Sequence, residues 1–176
     1  MKASNKLNNN KLDLKEKANK IKLVLTDIDG VLTDTGVYYS EQGEMFKRFS
    51  IRDGMGVVRL RELTSIDTGI ITGELSGSVK KRAEKLKITE LHQGVESKEL
   101  VFKEILKKHN IKAENVAFIG DDVNDLELLK LVGLSASPAD GFSQVTQIVD
   151  YVCQNKGGNG AFREFAELII NLNNSK

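Results

Sequence analysis

Two aspartates separated by one residue, Asp27 and Asp29, are the residues of this chain best suited to chemistry. They follow an apolar run over residues 21–25 that predicts a buried strand, and Gly30 after them allows a sharp turn. Ligand sites of open α/β sheets form beyond the carboxyl ends of the strands. The sequence thus places paired acids where ligands usually bind. An acidic turn without a catalytic role is the alternative, since Asp and Gly are common turn residues.

A threonine and a lysine further along the chain could bind a phosphate group. Thr72 and Gly73 follow the apolar run 67–71 and precede a predicted helix, where a hydroxyl and free backbone N–H groups can hold phosphate oxygens. Lys98 opens a later predicted helix and could neutralise phosphate charge. Each feature taken alone also fits an ordinary turn or a solvated lysine.

A dense acidic cluster, Asp121, Asp122 and Asp125, follows the predicted strand 115–119. Carboxylate oxygens are the ligands that Mg²⁺ takes, usually a few of them together with water and phosphate. Acids that cap a helix and favour the positive end of its dipole are the alternative. The order of acid pair, threonine, lysine and acid cluster, nearly all at predicted strand ends, favours one composite site over coincidence.

Strands and helices alternate along the rest of the sequence. The predicted strands cover residues 21–26, 67–71, 90–92, 115–119, 134–136 and 151–153, and the predicted helices cover 54–63, 78–86, 97–109, 124–131, 142–148 and 161–172. Val37 to Ser40 and Met45 to Phe49 predict a hairpin. The pattern predicts an α/β fold with a parallel sheet and helices on both faces. We expect one domain over residues 21–172, after an N-terminal arm over residues 1–20 that is flexible or helical.

The composition narrows the class of protein. A formal charge of +1 over 176 residues gives no strong field for nucleic acid. Cys153 is the single cysteine, so an intramolecular disulfide cannot form. This is typical of proteins in a reducing compartment. Neither a membrane-spanning run nor the apolar core of a signal peptide is present in the sequence. We therefore expect a cytoplasmic protein without nucleic-acid or membrane partners.

The motifs, taken together, resemble those of the haloacid dehalogenase superfamily of phosphatases. The matching residues are Asp27, Asp29, Thr72, Lys98, Asp121, Asp122 and Asp125. A closer resemblance, to phosphatases of 3-deoxy-D-manno-octulosonate 8-phosphate and their relatives, lies in residues 27–34, 52–54, 120–122, 132–135 and 157–164. Those relatives include phosphatases of nine-carbon sialic-acid-type 9-phosphates and the C-terminal domain of some sialic acid cytidylyltransferases. The resemblance covers the chain from about residue 21 to about residue 170.

This resemblance implies a Rossmann-like three-layer fold with a small hairpin in place of a cap domain, and a mechanism. Asp27 would attack phosphorus and form an aspartyl phosphate, while Asp29 would act as general acid and then general base. The implied phosphate ligands are Thr72, Gly73 and Lys98. Mg²⁺ would be held by Asp27, the backbone carbonyl of Asp29, and Asp121, with support from Asp122 and Asp125.

The resemblance also implies a homotetramer in which the hairpin of a neighbour helps to close the active site. The hairpin carries aromatic and other apolar side chains, Tyr38, Tyr39, Met45, Phe46 and Phe49, which favour a partner surface. Packing of these side chains on their own domain is the alternative.

Two departures from the octulosonate pattern bear on the substrate. These phosphatases usually carry Arg where this chain has Glu74, and Gly-Gly-Arg-Gly where it has Asn159. Glu74 with Lys85, to which it could form a salt bridge, resembles the nine-carbon branch. Because Glu74 cannot bind a substrate carboxylate, the candidates for that contact are Arg52, Lys85 and Arg163.

We expect hydrolysis of octulosonate 8-phosphate, a step of lipopolysaccharide precursor synthesis, because that activity is abundant among the relatives. The alternatives are a nine-carbon 9-phosphate phosphatase, a general small-molecule phosphatase, and a non-catalytic assembly domain. Asp27, Asp29, Lys98 and Asp121 are all present, whereas a degenerate assembly domain is expected to lose such residues.

Overall fold

Eight strands and seven helices make up residues 12–174, the part of the chain that the computed structural model describes. The strands are β1 (Leu23–Thr26), β2 (Val37–Ser40), β3 (Gly43–Lys47), β4 (Asp67–Ile71), β5 (Glu90–His92), β6 (Val116–Ile119), β7 (Leu134–Ser137) and β8 (Tyr151–Val152). The helices are α1 (residues 12–18), α2 (Ile51–Thr64), α3 (Gly77–Leu86), α4 (Lys98–His109), α5 (Leu126–Leu131), α6 (Ser143–Thr146) and α7 (Ala161–Asn174). Short 3₁₀ turns lie at Ala113–Asn115 and Val123–Asp125.

Six strands form a parallel sheet in the order β5-β4-β1-β6-β7-β8. β1 lies inside the sheet, between β4 and β6, and all four of its residues are buried. Leu23 and Leu25 pack on one face of the sheet and Val24 on the other, as expected from the alternation of side chains along a strand. A strand that is buried on both faces reads as a continuous apolar run, which is why the sequence predicts it.

Helices cover both faces of this sheet. On one face, Leu60 of α2 and Phe165 and Ile169 of α7 belong to a large apolar core. On the other face, Phe102 of α4 and Leu128 of α5 belong to a second core. The predicted three-layer α/β architecture is confirmed, and it leaves the carboxyl ends of the strands free to form a site.

Serine side chains begin three of the long helices. Ser50 accepts hydrogen bonds from the second and third backbone N–H groups after it, Ser76 accepts one from Val79 N, and Ser97 accepts one from Leu100 N. The apolar pattern alone placed the start of α2 at residue 54. The Ser50 cap moves that start to Ile51, because a helix begins at its cap and not at its first buried residue.

The hairpin of β2 and β3 lies outside the main sheet. Its second strand ends at Lys47, two residues before the predicted end, and Phe49 packs against the large core instead. The rings of Tyr38 and Phe46 stack with centroids 4.6 Å apart, and both side chains are at least half exposed. The hairpin therefore presents an apolar surface to solvent within this chain.

The predicted N-terminal arm, residues 1–20, is only partly described, because residues 1–11 lie outside the described range. Residues 12–18 are helical, Ala18 is fully buried in the large core, and Lys17 pairs with Asp150. The end of the arm is thus attached to the domain. No helix within residues 12–174 has the length and apolar character that crossing a membrane requires.

Candidate active site

A cleft of about 240 Å³ opens at the carboxyl ends of β1, β4 and β6, which are neighbours in the sheet. Asp27 follows β1, Thr72 follows β4, and Gly120 and Asp121 follow β6. The cleft is lined by Asp27, Asp29, Thr35, Thr72, Gly73, Glu74, Asp121, Asp122 and Asn124. The sheet order thus brings together motifs that are far apart in the sequence.

Lys98 lies between two carboxylates at the base of this site. Its Nζ is 2.8 Å from Asp27 Oδ1 and 2.6 Å from Asp125 Oδ1. The contact with Asp125 is a hydrogen bond, whereas the contact with Asp27 is an ion pair that lacks hydrogen-bond geometry. All three residues are buried, so these charges interact with little screening by water.

The opposed charges decide the protonation state of Lys98. Burial lowers the pKa of Lys98, but the carboxylates of Asp27 and Asp125 outweigh burial and hold that pKa above its ordinary value. The side chain is therefore an ammonium at neutral pH. A fixed cation beside Asp27 can offset negative charge brought by a phosphate group.

The acid cluster after β6 is organised by Asp125. Its Oδ2 accepts hydrogen bonds from Asp121 N (2.9 Å) and Asp122 N (3.4 Å), which fixes the loop that carries Asp121. Asp122 itself is on the cleft wall, and its carboxylate accepts a hydrogen bond from Val123 N (2.7 Å). Asp122 thus performs the capping role that the sequence also allowed.

Gly30 allows the two acidic loops to approach each other. A Cβ at this position would lie 1.9 Å from Asp121 Oδ2, and its φ of +91° belongs to the region that glycine favours. The glycine of the Asp-x-Asp-Gly motif is therefore needed to place Asp121 beside the turn after β1.

Burial of the acids, together with their mutual repulsion, is the main electrostatic feature of the site. Burial, opposed by Lys98 and reinforced by Asp125, raises the pKa of Asp27 to about 7. Burial together with the charges of Asp27, Asp125 and Asp122 raises the pKa of Asp121 to about 8. A cation bound among these groups would stabilise their ionised forms.

The acids have the chemistry and spacing of a metal site. Carboxylate oxygens of Asp27, Asp121 and Asp125 lie within 4.8 Å of one another. Asp27 Oδ1 and Asp121 Oδ1 are buried and have no hydrogen-bond partner among the described residues. Buried oxygens of this kind carry a large desolvation cost, which a hard cation such as Mg²⁺ would remove. Asp27 and Asp121 therefore provide oxygen ligands that suit Mg²⁺, the metal ion implied by the sequence.

Asp29 faces the cleft, but its carboxylate is already held by two side chains. Lys47 Nζ donates to Asp29 Oδ2 at 2.6 Å, and Thr33 Oγ1 donates to Asp29 Oδ1 at 3.2 Å. Sequence reasoning missed Lys47, whose only signal is a cation within the apolar second strand of the hairpin. The metal contact through the backbone carbonyl of Asp29 stays a prediction.

The candidate phosphate loop lies opposite the acids. Thr72 is buried, its N–H donates to the carbonyl of His92 (2.9 Å), and its hydroxyl oxygen accepts a hydrogen bond from Glu74 N (3.4 Å). These contacts connect the end of β4 to the end of β5. Thr72, Gly73 and Glu74 all line the cleft, so a bound anion would meet the Thr72 hydroxyl and the backbone at Gly73 there.

The candidate substrate residues do not lie together. Glu74 lines the cleft, whereas Arg52 lines a neighbouring groove of about 390 Å³ that also contains Arg48 and Asn159. Arg163 Nε donates to Glu167 Oε1 at 2.8 Å, on the α7 helix. Lys85 is exposed near the end of α3.

The salt bridge hypothesised between Glu74 and Lys85 does not form between these two described residues. Lys85 lies eight residues beyond the start of α3 at Gly77, which places it about 12 Å along the helix from the cleft end. The charge of Glu74 is thus left available to the cleft.

Thr35 is a further cleft residue that sequence reasoning missed. Its φ is +66°, which is unusual for a β-branched residue, and its hydroxyl donates to the carbonyl of Asp34 (2.6 Å). Nothing in the residue type signals a left-handed backbone. Strained residues of this kind are frequent at functional sites.

The glycine-rich loop near the C-terminus braces the turn that holds Asp29. Gly158 N donates to the carbonyl of Val31 at 2.8 Å. A Cβ at Gly157 would lie 1.9 Å from the carbonyl oxygen of Gly30, so no side chain fits between the two backbones. Gly157 and Gly158 belong to the segment 157–164 that carries part of the family resemblance. They thus support the turn of the first motif directly.

Asp53 anchors the same loop from α2. Its buried carboxylate accepts hydrogen bonds from Gly160 N (3.1 Å) and Arg163 N (3.0 Å) at the start of α7. The Arg52-Asp53-Gly54 motif therefore has a structural role through its aspartate.

Comparison with known proteins agrees with this geometry. The family model of haloacid dehalogenase-like hydrolases matches residues 70–165. The chain is 40% identical over 158 residues to a 3-deoxy-D-manno-octulosonate 8-phosphate phosphatase of Escherichia coli (strain B / BL21-DE3), covering 90% of this chain and 84% of the relative. The phosphatase of the same name from Yersinia pestis superposes with a TM-score of 0.87 and 38% identity, over 92% of this chain and 86% of that structure.

A third relative was solved with ligands. The 3-deoxy-D-manno-octulosonate 8-phosphate phosphatase of Moraxella catarrhalis, in complex with magnesium ion, phosphate ion and KDO, superposes with a TM-score of 0.87 and 37% identity, over 92% of each chain. A parallel sheet with an Asp-x-Asp turn, a buried lysine and an acid cluster defines a hydrolase of the haloacid dehalogenase type. The chain belongs to the haloacid dehalogenase-like hydrolase family, in the phosphatase branch of these relatives.

Magnesium binding can be tested without measuring turnover. Mg²⁺ at a hundredfold excess over its dissociation constant should raise the melting temperature by about 5–10 °C, because it binds only the folded acid cluster. Asp121→Asn should lose most of this shift, and Asp67→Asn, at the exposed start of β4, should keep it. Differential scanning calorimetry with and without EDTA measures the shifts. Equal shifts in the two variants would contradict the assignment.

Proposed function

We propose that this enzyme is a Mg²⁺-dependent phosphomonoesterase that hydrolyses a phosphorylated 3-deoxy-2-ulosonic acid through an aspartyl-phosphate intermediate. 3-Deoxy-D-manno-octulosonate 8-phosphate is the first candidate substrate, as the names of the relatives suggest. The observation that carries the proposal is the buried Lys98 ammonium 2.8 Å from Asp27, beside the unpaired oxygen of Asp121.

Asp27 is the proposed nucleophile. Its carboxylate attacks phosphorus, the bond from phosphorus to the sugar oxygen breaks, and the phosphoryl group is carried on Asp27 until water displaces it. A carboxylate that approaches a phosphate dianion meets strong repulsion, which the Lys98 ammonium reduces. When bound at Asp27 and Asp121, Mg²⁺ would supply further charge neutralisation and would orient the phosphate oxygens.

Asp29 is the proposed general acid and base. It gives a proton to the departing sugar oxygen and later takes one from the attacking water. Asp27 and Asp29 line the same cleft after the same strand, so both can reach one phosphoryl group.

The phosphate oxygens have a binding place opposite Asp27. Thr72 and the backbone at Gly73 line the cleft, and Lys98 lies at its base beside Asp27. Contacts from these groups would hold the phosphate in line with the attacking oxygen.

Glu74 is the observation that keeps a nine-carbon 9-phosphate as second candidate. Its carboxylate lines the cleft and has no ion-pair partner among the described residues. An anion in this position repels a substrate carboxylate but can accept hydrogen bonds from hydroxyl or amide groups of a longer sugar. A non-catalytic assembly role receives no such support, since the acids and Lys98 converge.

A homotetramer is our proposal for the assembly. The exposed, stacked rings of Tyr38 and Phe46, together with the exposed side chains of Tyr39 and Met45, form an apolar surface of the kind that marks an interface. Because the hairpin begins two residues after the cleft residue Thr35, a neighbour that binds there would border the active site.

Replacement of the nucleophile should abolish turnover. Asp27→Asn keeps the shape of the side chain but cannot attack phosphorus, so kcat for phosphate release should fall by about four orders of magnitude or more. Asp67→Asn, at the exposed start of β4, is the control and should retain wild-type rates. Activity of Asp27→Asn within tenfold of the wild type would refute the assignment.

Charge reversal at Glu74 should change substrate preference. Glu74→Arg should shift the ratio of kcat/KM toward octulosonate 8-phosphate and away from a nine-carbon 9-phosphate, by about tenfold to a hundredfold. Glu96→Arg makes the same charge change at an exposed position outside the cleft lining, and should leave the ratio unchanged. If the two variants behave alike, Glu74 does not contact the sugar.

Polar substitution of the hairpin should break the assembly. The double variant Tyr38→Ser/Phe46→Ser should elute as a smaller species in size-exclusion chromatography with light scattering, because the apolar contact surface is lost. Phe142→Ser removes another half-exposed ring and is the matched control. Four chains in the hairpin variant, or one chain in the wild type, would overturn the proposal.

A further inference from the structure

Lys47 is a buried cation that the mechanism above does not use. Its side chain, at the end of β3, is only 1% exposed, and its ammonium lies 2.6 Å from Asp29 Oδ2 and 3.7 Å from Glu44 Oε2. A lysine this deeply buried is rare unless it is paired. Its closest partner is the proposed general acid and base.

The contacts of Asp29 leave it oriented but still accessible. Thr33 donates to one oxygen and Lys47 to the other, so rotation of the carboxylate would break at least one hydrogen bond. The Asp29 side chain is 25% exposed, and each carboxylate oxygen can accept more than one hydrogen bond. Asp29 can therefore be held by Lys47 and still meet the leaving oxygen of a substrate.

A hydrogen bond connects Glu44, the second partner of Lys47, to the start of α3. Glu44, on the same strand, accepts a hydrogen bond from Ser76 Oγ at 2.5 Å. Ser76 is the N-cap of α3, and its own N–H donates to Gln93 Oε1 at 3.0 Å. The hairpin is thus connected at one end to Asp29 and at the other to the helix that follows the phosphate loop.

We propose that Lys47 is a positioning residue for Asp29, and that Glu44 and Ser76 hold the hairpin so that Lys47 stays in place. The inference rests on the proposed function, because Asp29 needs a fixed orientation only if it transfers a proton. An acid that is displaced by about 1 Å loses much of its effect on the transition state. The hairpin is then part of the catalytic geometry of its own chain, independently of any partner.

The leaving group distinguishes positioning from stability. Proton donation matters more for a basic leaving group than for a weakly basic one, so a misplaced Asp29 should penalise phenyl phosphate more than p-nitrophenyl phosphate. At saturating Mg²⁺, Lys47→Met should lower kcat/KM for phenyl phosphate about tenfold or more beyond its effect on p-nitrophenyl phosphate. A purely structural lysine would lower both values by the same factor.

Two controls accompany this variant. Lys17→Met removes a different ion pair of the same domain, with Asp150, and should leave the ratio of the two kcat/KM values unchanged. Asp29→Asn should already show the altered ratio, and Lys47→Met added to Asp29→Asn should not change it further. The double variant also leaves no carboxylate at position 29 without its partner, so it remains informative if Lys47→Met alone does not fold.

The possible results separate the inference from the function on which it rests. A wild-type protein that with Mg²⁺ hydrolyses neither aryl phosphate, nor octulosonate 8-phosphate, nor a nine-carbon 9-phosphate would overturn both. Hydrolysis by the wild type with an unchanged ratio in Lys47→Met would overturn only the positioning role. A further change of the ratio in the double variant would also overturn it, since Lys47 would then act without Asp29.

Discussion

The ammonium of Lys98, buried between Asp27 and Asp125, is the interaction on which the active site depends. Without a cation there, three carboxylates would share one poorly solvated space. Burying an unpaired charge costs several kcal/mol, so removal of Lys98 would displace or protonate the acids. Asp125 is the partner that makes the arrangement rigid, because its other oxygen holds the backbone of the acid loop.

The position of this lysine follows from the topology. β1 lies between β4 and β6, so the loops after these three strands converge, and Lys98 enters from the first residue of α4. A cation at the start of a helix opposes the helix dipole. The two carboxylates offset this unfavourable placement. The same attraction that stabilises Lys98 also holds the Asp27 carboxylate at the cleft.

Much of this arrangement could be predicted from the sequence. Buried parallel strands leave apolar runs, so β1 and β6 lie within their predicted bounds, β4 matches its own, and the motif residues appear where these strands end. Contacts that depend on backbone geometry or on distant side chains leave no such trace. Such features include the left-handed backbone of Thr35, the Lys47–Asp29 ion pair and the serine cap of α2. The expected Glu74–Lys85 pair failed because spacing along the sequence does not fix where a helix points.

The close packing of Gly157 and Gly158 against the turn after Asp29 determines when this turn receives its support during synthesis of the chain. Asp27, the proposed nucleophile, lies near the beginning of the described residues, and the loop that braces its turn lies near their end. Chains are synthesised from the N-terminus, and domains generally fold as units. The nascent protein therefore carries its reactive aspartate long before the support for that aspartate has been synthesised. The contacts that brace this turn are therefore completed late in translation, and a chain that stops before this loop lacks them.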